Sequence, residues 1–480
     1  MNVMMPQDDG RFINMKNIFY RRSIKAAVSA LVMSVGFSGF AATEVSAWSL
    51  GEAAAPYKGQ EIKVICEGYP ACFAMRDMSK EFTAETGISV TFETGDLLNI
   101  SQRVLTDMLT KSSYFDTAQI HFTQLALYAE QGWALPLNQF LDNPDLRDPS
   151  LNLDNFIKEN MDLCCEYKGE LLAMPWYYIP LFPVVRKDYL ENADERSAFK
   201  AKYGYELPKG ELVTHMASWQ QWKDMAEFFT RKEGETLAGK VLEKNAYGIG
   251  MPFQRHLASA SVFWALLAAN GGEIIDADGN NALGKGTAAI DAVNFMLEMT
   301  KFAPPGHAEY NWDNQYTDFC NGTVFSTPSW ADTAFYLEEA ADCSSAGNVS
   351  YTPLPEGNKS FPFTGTWIVP STAPNPEASF LFMQWAISEE IQTIAAPKGW
   401  IPNTKNVARK DWSGNQNLYG SMEIHKYLED NNLLAEVPQH PAMVAVMDVL
   451  MEELSSVGAG DIDAATSVQN MVDRVDRILE

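Results

Sequence analysis

The chain has 480 residues, of which 46% are hydrophobic and 20% charged, with 62 acidic against 36 basic side chains and a net charge of −26. An acidic balance of that size repels phosphate backbones and anionic membrane surfaces, so nucleic acid is set aside as a partner. The length exceeds the usual size of a single domain and supplies enough apolar residues for a large core.

The first element is an export signal. Lys16, Arg21, Arg22 and Lys25 precede an apolar run from Ala26 to Phe40, and small residues follow through Val45-Ser46-Ala47. A charged start, a short apolar stretch and a small-residue site predict a signal peptide, residues 1–47, cleaved near Ala47. The run is rich in Ala, Ser and Gly and falls short of the ~20 apolar residues that a membrane span needs. Arg21-Arg22 hints at twin-arginine export, but Lys25 falls where that signal usually has an apolar residue, which favours the ordinary route. Removing five basic and three acidic residues with the signal leaves 31 basic and 59 acidic side chains, a net charge of −28. The mature protein is expected in the periplasm.

Ile62 to Ile65 reads as a strand, followed by a helix that carries Met75, Met78 and Phe82 on one face and ends at Gly87. Ile88, Val90 and Phe92 alternate with polar residues as a second strand. Similar strands are expected around Ile120, at Tyr247 to Met251 and at Trp367 to Val369. Helical spacing recurs between them, as at Ile290, Val293 and Leu297. This alternation predicts α/β architecture, with sheets flanked by helices.

Six cysteines remain after the signal: Cys66, Cys72, Cys164, Cys165, Cys320 and Cys343. An even count in an exported protein suggests disulfides. Local pairing joins Cys66 to Cys72 and Cys320 to Cys343, leaving Cys164-Cys165 as a vicinal pair or as two thiols. Neither their spacing nor the six scattered histidines form a zinc ligand set, so no metal is expected. Gly279 to Gly286 mimics a phosphate loop but has Gly286 where the magnesium-binding hydroxyl belongs. Asp276, Asp278 and Asn280 begin like a calcium loop that would end on Thr287 rather than Glu. Both read as a turn, and no cofactor is expected.

The order of short patterns carries a family likeness. Lys80-Glu81-Phe82 to Ile88-Ser89-Val90, Phe115-Asp116, and Ala129 to Leu137 are followed by Gly169-Glu170-Leu171-Leu172-Ala173-Met174-Pro175. Then come Ser218 to Trp222, Ala246 to Ile249, Gly271-Gly272, Phe325 to Trp330, Gly365-Thr366-Trp367, Glu377 to Ser388 and Gly399-Trp400-Ile401-Pro402. Together they resemble the family 1 extracellular solute-binding proteins of bacterial ABC importers, the relatives of maltose-binding protein, over roughly Glu61 to Leu479. The resemblance implies the two-lobed periplasmic binding protein fold (type II-like), with a ligand cleft between the lobes. Lobe 1 is expected to hold 57–178 and 368–415, and lobe 2 the segments 179–367 and 416–480. It also implies a monomer that delivers a small polar solute, a sugar, oligosaccharide or polyol, to an inner-membrane permease, with no chemistry of its own.

A sugar cleft needs flat aromatic platforms and a polar rim. Trp176 and Tyr177, directly after Pro175, and Trp330, Trp367 and Trp400 are candidate platforms; each could instead be core. Three aromatics in a row, Trp176-Tyr177-Tyr178, cannot all face one side of a strand, so at least one is expected at a cleft or in solvent. The rim candidates are Glu67 and Tyr69, His121 and Thr123, Arg255, and Asp332. Aromatic faces with carboxylates also suit a polyamine or another small cation. A periplasmic carbohydrate-active enzyme is the competing class, because carboxylate pairs are too common for counting to exclude it.

Overall fold

The computed structural model describes residues 48–339, 341 and 343–480; the expected signal peptide lies outside them. Among the described residues nine strands build the two larger sheets. They are β1 (Glu61–Glu67), β2 (Ser89–Gly95), β3 (Thr117–His121), β4 (Ala173–Tyr178), β5 (Leu181–Arg186), β6 (Tyr247–Ile249), β7 (Val324–Trp330), β8 (Val349–Tyr351) and β9 (Thr364–Ile368). The first sheet has the order β2-β1-β3-β9-β4 and the second β6-β7-β5-β8. In the first, β1 runs parallel to β2 and β3, and β9 runs antiparallel to β3 and β4. In the second, β7 is parallel to β6, and β5 is antiparallel to β7 and β8.

The opening strand-helix-strand unit forms where the sequence predicts it. Helix α1 (Pro70–Thr86) follows β1, buries Met75, Met78 and Phe82, and stops at Gly87, whose φ of 73° is the left-handed value that a helix end favours. Phe82 meets Phe382 of the helix Pro376–Ala386 at 5.3 Å between ring centroids, and Phe382 in turn meets Trp367 of β9 at 5.6 Å. Helix α2 (Leu97–Thr110) starts from Asp96, whose carboxylate accepts from the Asn99 amide at 3.0 Å. The amphipathic stretch with Ile290 and Val293 is the helix Ala288–Met299.

The chain passes between the two sheets on adjacent segments. Ile179 N donates to Phe363 O, and Leu181 N donates to Phe361 O, each at 2.8 Å. The outgoing segment thus lies beside the returning one as a hydrogen-bonded pair. On the returning segment, β9 pairs in the first sheet from Thr364.

All three local cysteine pairs are disulfides: Cys66–Cys72, Cys164–Cys165 and Cys320–Cys343. The Gly279 to Gly286 segment belongs to a turn organised by Asp276, which accepts from the amides of Asp278 and Asn280 and pairs with Lys285 at 2.7 Å. No helix among the described residues is long and apolar enough to cross a membrane, and among them no group of His, Cys, Asp and Glu is placed to hold a metal ion.

Candidate functional site

The C-terminal end of β1 and the loop after it carry Glu67 and Tyr69. Glu67 is fixed from behind, since its amide donates to Gln119 Oε1 at 2.7 Å while Gln119 Nε2 donates to the Tyr177 hydroxyl at 3.1 Å. Tyr69 lies edge-on to Tyr177, with centroids 5.2 Å apart, and 6.3 Å from Trp176. That both rings of β4 reach Tyr69 follows from an irregularity in the strand. Gly365 pairs with Tyr177 and Thr366 with Pro175, so Trp176 is an extra, bulged residue and the alternation slips there.

The facing wall comes from α4 (Trp312–Cys320) and α5 (Ala331–Leu337), which flank β7. Trp330 immediately precedes α5, and Asp332 and Tyr336 follow on it. Trp330 meets Trp312 edge-on at 5.8 Å, and Trp312 meets His256 at 4.1 Å. Phe335 extends to the first lobe, where its ring lies 3.5 Å from where a Cβ on Gly399 would stand, beside Pro70.

Electrostatics joins the two walls. Burial pushes the Glu67 carboxyl up to about 8, and the carboxylates of Asp332, Asp313 and Asp96 add to the rise. Burial also lifts Asp332, to about 6, and raises Asp313. Among the described residues none of these four carboxylates forms an ion pair with Lys, Arg or His. Asp96 and Asp313 are exposed, but Glu67 and Asp332 are largely enclosed, and carboxylates so placed without a cationic partner are costly to ionise, a cost that hydrogen-bond donors or positive charge relieve.

The remaining candidates separate from this constellation. His121 and Thr123 are buried and engage each other, with His121 Nδ1 2.6 Å from Thr123 Oγ1. Burial lowers His121 to about 3, so its neutral ring serves as a cap for the short turn that follows β3. Arg255 pairs with Asp448, at 2.8 Å, and Glu452, at 3.7 Å. Trp367 and Trp400 are fully buried, with Trp367 stacked on Trp176 at 4.5 Å and Trp400 edge-on to Trp176 at 6.0 Å. Trp176, Tyr177 and Tyr178 are all buried from solvent, because α3 (Lys158–Cys164) covers part of β4 and Tyr178 packs on His425 of α6 (Gln416–Asp430), so of the expected cleft or solvent positions only the cleft is open to them.

Sequence reasoning missed Asp96, Gln119, Trp312, Asp313 and Tyr336. Asp96 and Asp313 had one available signal, since each stands at a helix start after a strand end or an Asn cap, where functional side chains concentrate. Gln119 and Tyr336 had none.

Two α/β lobes joined by adjacent crossovers, with a polar and aromatic constellation facing inward from each, define a two-lobed binding protein. The chain belongs to the bacterial extracellular solute-binding proteins, whose family model matches residues 77–418. It is 20% identical over 400 residues to a probable amino-acid ABC transporter periplasmic-binding protein of Sinorhizobium fredii, covering 81% of this chain and 78% of that one. It is 23% identical over 359 residues to the erythritol/L-threitol-binding protein of Mycolicibacterium smegmatis, covering 71% and 69%. In fold it is similar to the crystal structure of an ABC transporter solute-binding protein of Agrobacterium radiobacter in complex with ribitol, with a TM-score of 0.73 and 18% identity over 88% of this chain and 99% of that one.

Proposed function

We propose that this protein is the periplasmic substrate-binding component of an ABC importer, capturing a sugar, oligosaccharide or polyol between its lobes and handing it to an inner-membrane permease. It acts as a monomer after cleavage near Ala47, and it does no chemistry on the solute. The observation that carries this reading is the facing arrangement of Glu67, Tyr69 and Tyr177 with Trp330, Asp332 and Tyr336, coupled across the interlobe space. Carboxylates accept hydrogen bonds from hydroxyls, and tyrosine and tryptophan rings cover C–H faces, which together suit a polyhydroxylated solute. Relatives that carry polyol names agree with this chemistry. Within this reading the bulged Trp176 backs Tyr69 and Tyr177 and leaves direct contact to them.

A second reading is favoured by one specific feature, the four carboxylates without a basic partner. They suit a solute that brings an ammonium group, such as a polyamine. One experiment separates the readings: thermal shift of residues 48–480 with erythritol, ribitol, D-mannitol, D-tagatose, maltose, putrescine, spermidine and amino acids. A solute that binds only the folded protein raises Tm. A rise with a polyol or sugar is expected, whereas a rise with putrescine or an amino acid alone would overturn the carbohydrate reading.

A further inference from the structure

The disulfides are unevenly placed with respect to the cleft. Cys66 and Cys72 bracket Glu67, Gly68 and Tyr69, the segment by which the first lobe enters the site, and both are fully buried with Cα atoms 6.1 Å apart. Cys320 ends α4, which carries Asp313 and Tyr316, and its bridge reaches Cys343 beyond α5, which carries Asp332 and Tyr336. The Tyr316 hydroxyl lies 3.7 Å from Cys343 Sγ, so this bridge touches the wall it ties down. Cys164–Cys165 joins neighbours in sequence at the end of α3 and encloses no loop; Cys165 Sγ lies 3.7 Å from Thr366 Oγ1, inside the first lobe.

We propose that Cys66–Cys72 and Cys320–Cys343 are positioning elements of the solute site, each holding one wall in its binding geometry before solute arrives. This rests on the reading of the cleft as a solute site. The Cys66–Cys72 loop is the more telling case. It is short, so it removes less freedom from the unfolded chain than the longer Cys320 to Cys343 loop, and its effect on global stability is correspondingly the smaller. Its local effect falls beyond Glu67, which strand pairing and Gln119 already hold; after it the backbone keeps Gly68 N to Gly95 O at 2.9 Å, Tyr69 N to Glu67 O at 2.9 Å and Phe73 N to Tyr69 O at 3.1 Å, none of which ties Tyr69 to the rest of the first sheet. Without the bridge the start of α1, where no side chain caps the helix at Tyr69, is free to fray, and solute must then order Tyr69 as it binds.

The test uses Cys66→Val/Cys72→Ala, whose apolar side chains fill the same dry space, beside Cys164→Ala/Cys165→Ala as the bridge outside the site. The first readout needs no solute: amide hydrogen exchange is expected to accelerate at Gly68 and Tyr69 in Cys66→Val/Cys72→Ala while Ile62 and Val64 stay protected. Unchanged exchange across 67–71 would overturn the proposal. The second readout is calorimetric titration, well below either variant's Tm, with whichever of ribitol, D-mannitol or maltose the unaltered protein binds. Cys66→Val/Cys72→Ala is expected to bind about tenfold more weakly or worse, with Cys164→Ala/Cys165→Ala unaffected. A bridge that merely stabilises the fold would lower Tm and leave affinity within about twofold, and that result overturns the proposal. If the unaltered protein binds none of the three, the titration is made with whichever solute of the thermal-shift panel raises its Tm, and the exchange readout decides independently whether the bridge holds the loop.

Discussion

Gly365 shows why a single atom matters at this site. A Cβ placed on it would stand 2.2 Å from Cε1 of Tyr177, so the glycine lets that ring lie flat on the strand and reach Gln119. Gly365→Ala is expected to push Tyr177 from its place and to cost about 1–3 kcal/mol of stability, with solute affinity falling alongside Tm. Trp367 offers the contrasting case. Enclosed between Trp176 and Phe382, it is packing, and Trp367→Ala should lower stability by about 3–5 kcal/mol. Denaturant melts beside calorimetric titration distinguish the two; a Trp367→Ala protein that keeps its stability but loses affinity would show that ring to be a platform. The sequence identified these aromatics but left their roles open, because a tryptophan in a buried strand and one in a sugar cleft follow the same local pattern.

At the level of elements, the periodicities were informative and the convergences were not. The strand-helix-strand opening, the stop at Gly87 and the helix through Ile290 and Val293 rest on neighbours in sequence, and they form as predicted. The meeting of Glu67 with Asp313 and Asp332 depends on packing between segments some 250 residues apart, which no local pattern encodes. The bulge at Trp176 is a further case: period-two reasoning assumed a regular strand, whereas the register slips between Gly365 and Thr366 and brings both Trp176 and Tyr177 to Tyr69. Asp96 links the two levels, because it caps α2 and also faces Glu67. Asp96→Asn keeps a capping oxygen and should leave Tm nearly unchanged, whereas Asp96→Ala should cost about 1 kcal/mol. Equal losses in the two variants, read by thermal melts at neutral pH, would assign the carboxylate's contribution to its charge instead.

For the whole molecule, the enclosed acids and histidines set opposite pH limits. A carboxyl held above its ordinary range favours the folded form while both states are protonated, and loses that advantage as pH rises through its own value. With Glu67 at about 8 and Asp332 at about 6, the unliganded protein should lose Tm progressively from weakly acidic pH to about 8. Glu67→Gln should flatten that slope. His121 at about 3 and His425 at about 4 act the other way, withdrawing stability as pH falls below their usual range near 6.5. Scanning calorimetry across pH checks both limbs, and a Glu67→Gln profile parallel to that of the unaltered protein would remove Glu67 from the account.

The two crossing segments, bonded to each other at Ile179 and Leu181, give the lobes a strap rather than a pair of independent strings. A strap bends easily across its width and resists shear and twist. Under the proposed importer role such a strap favours one arc of opening over shear and twist, so that a permease would read whether the jaws have met rather than the outline of the cargo.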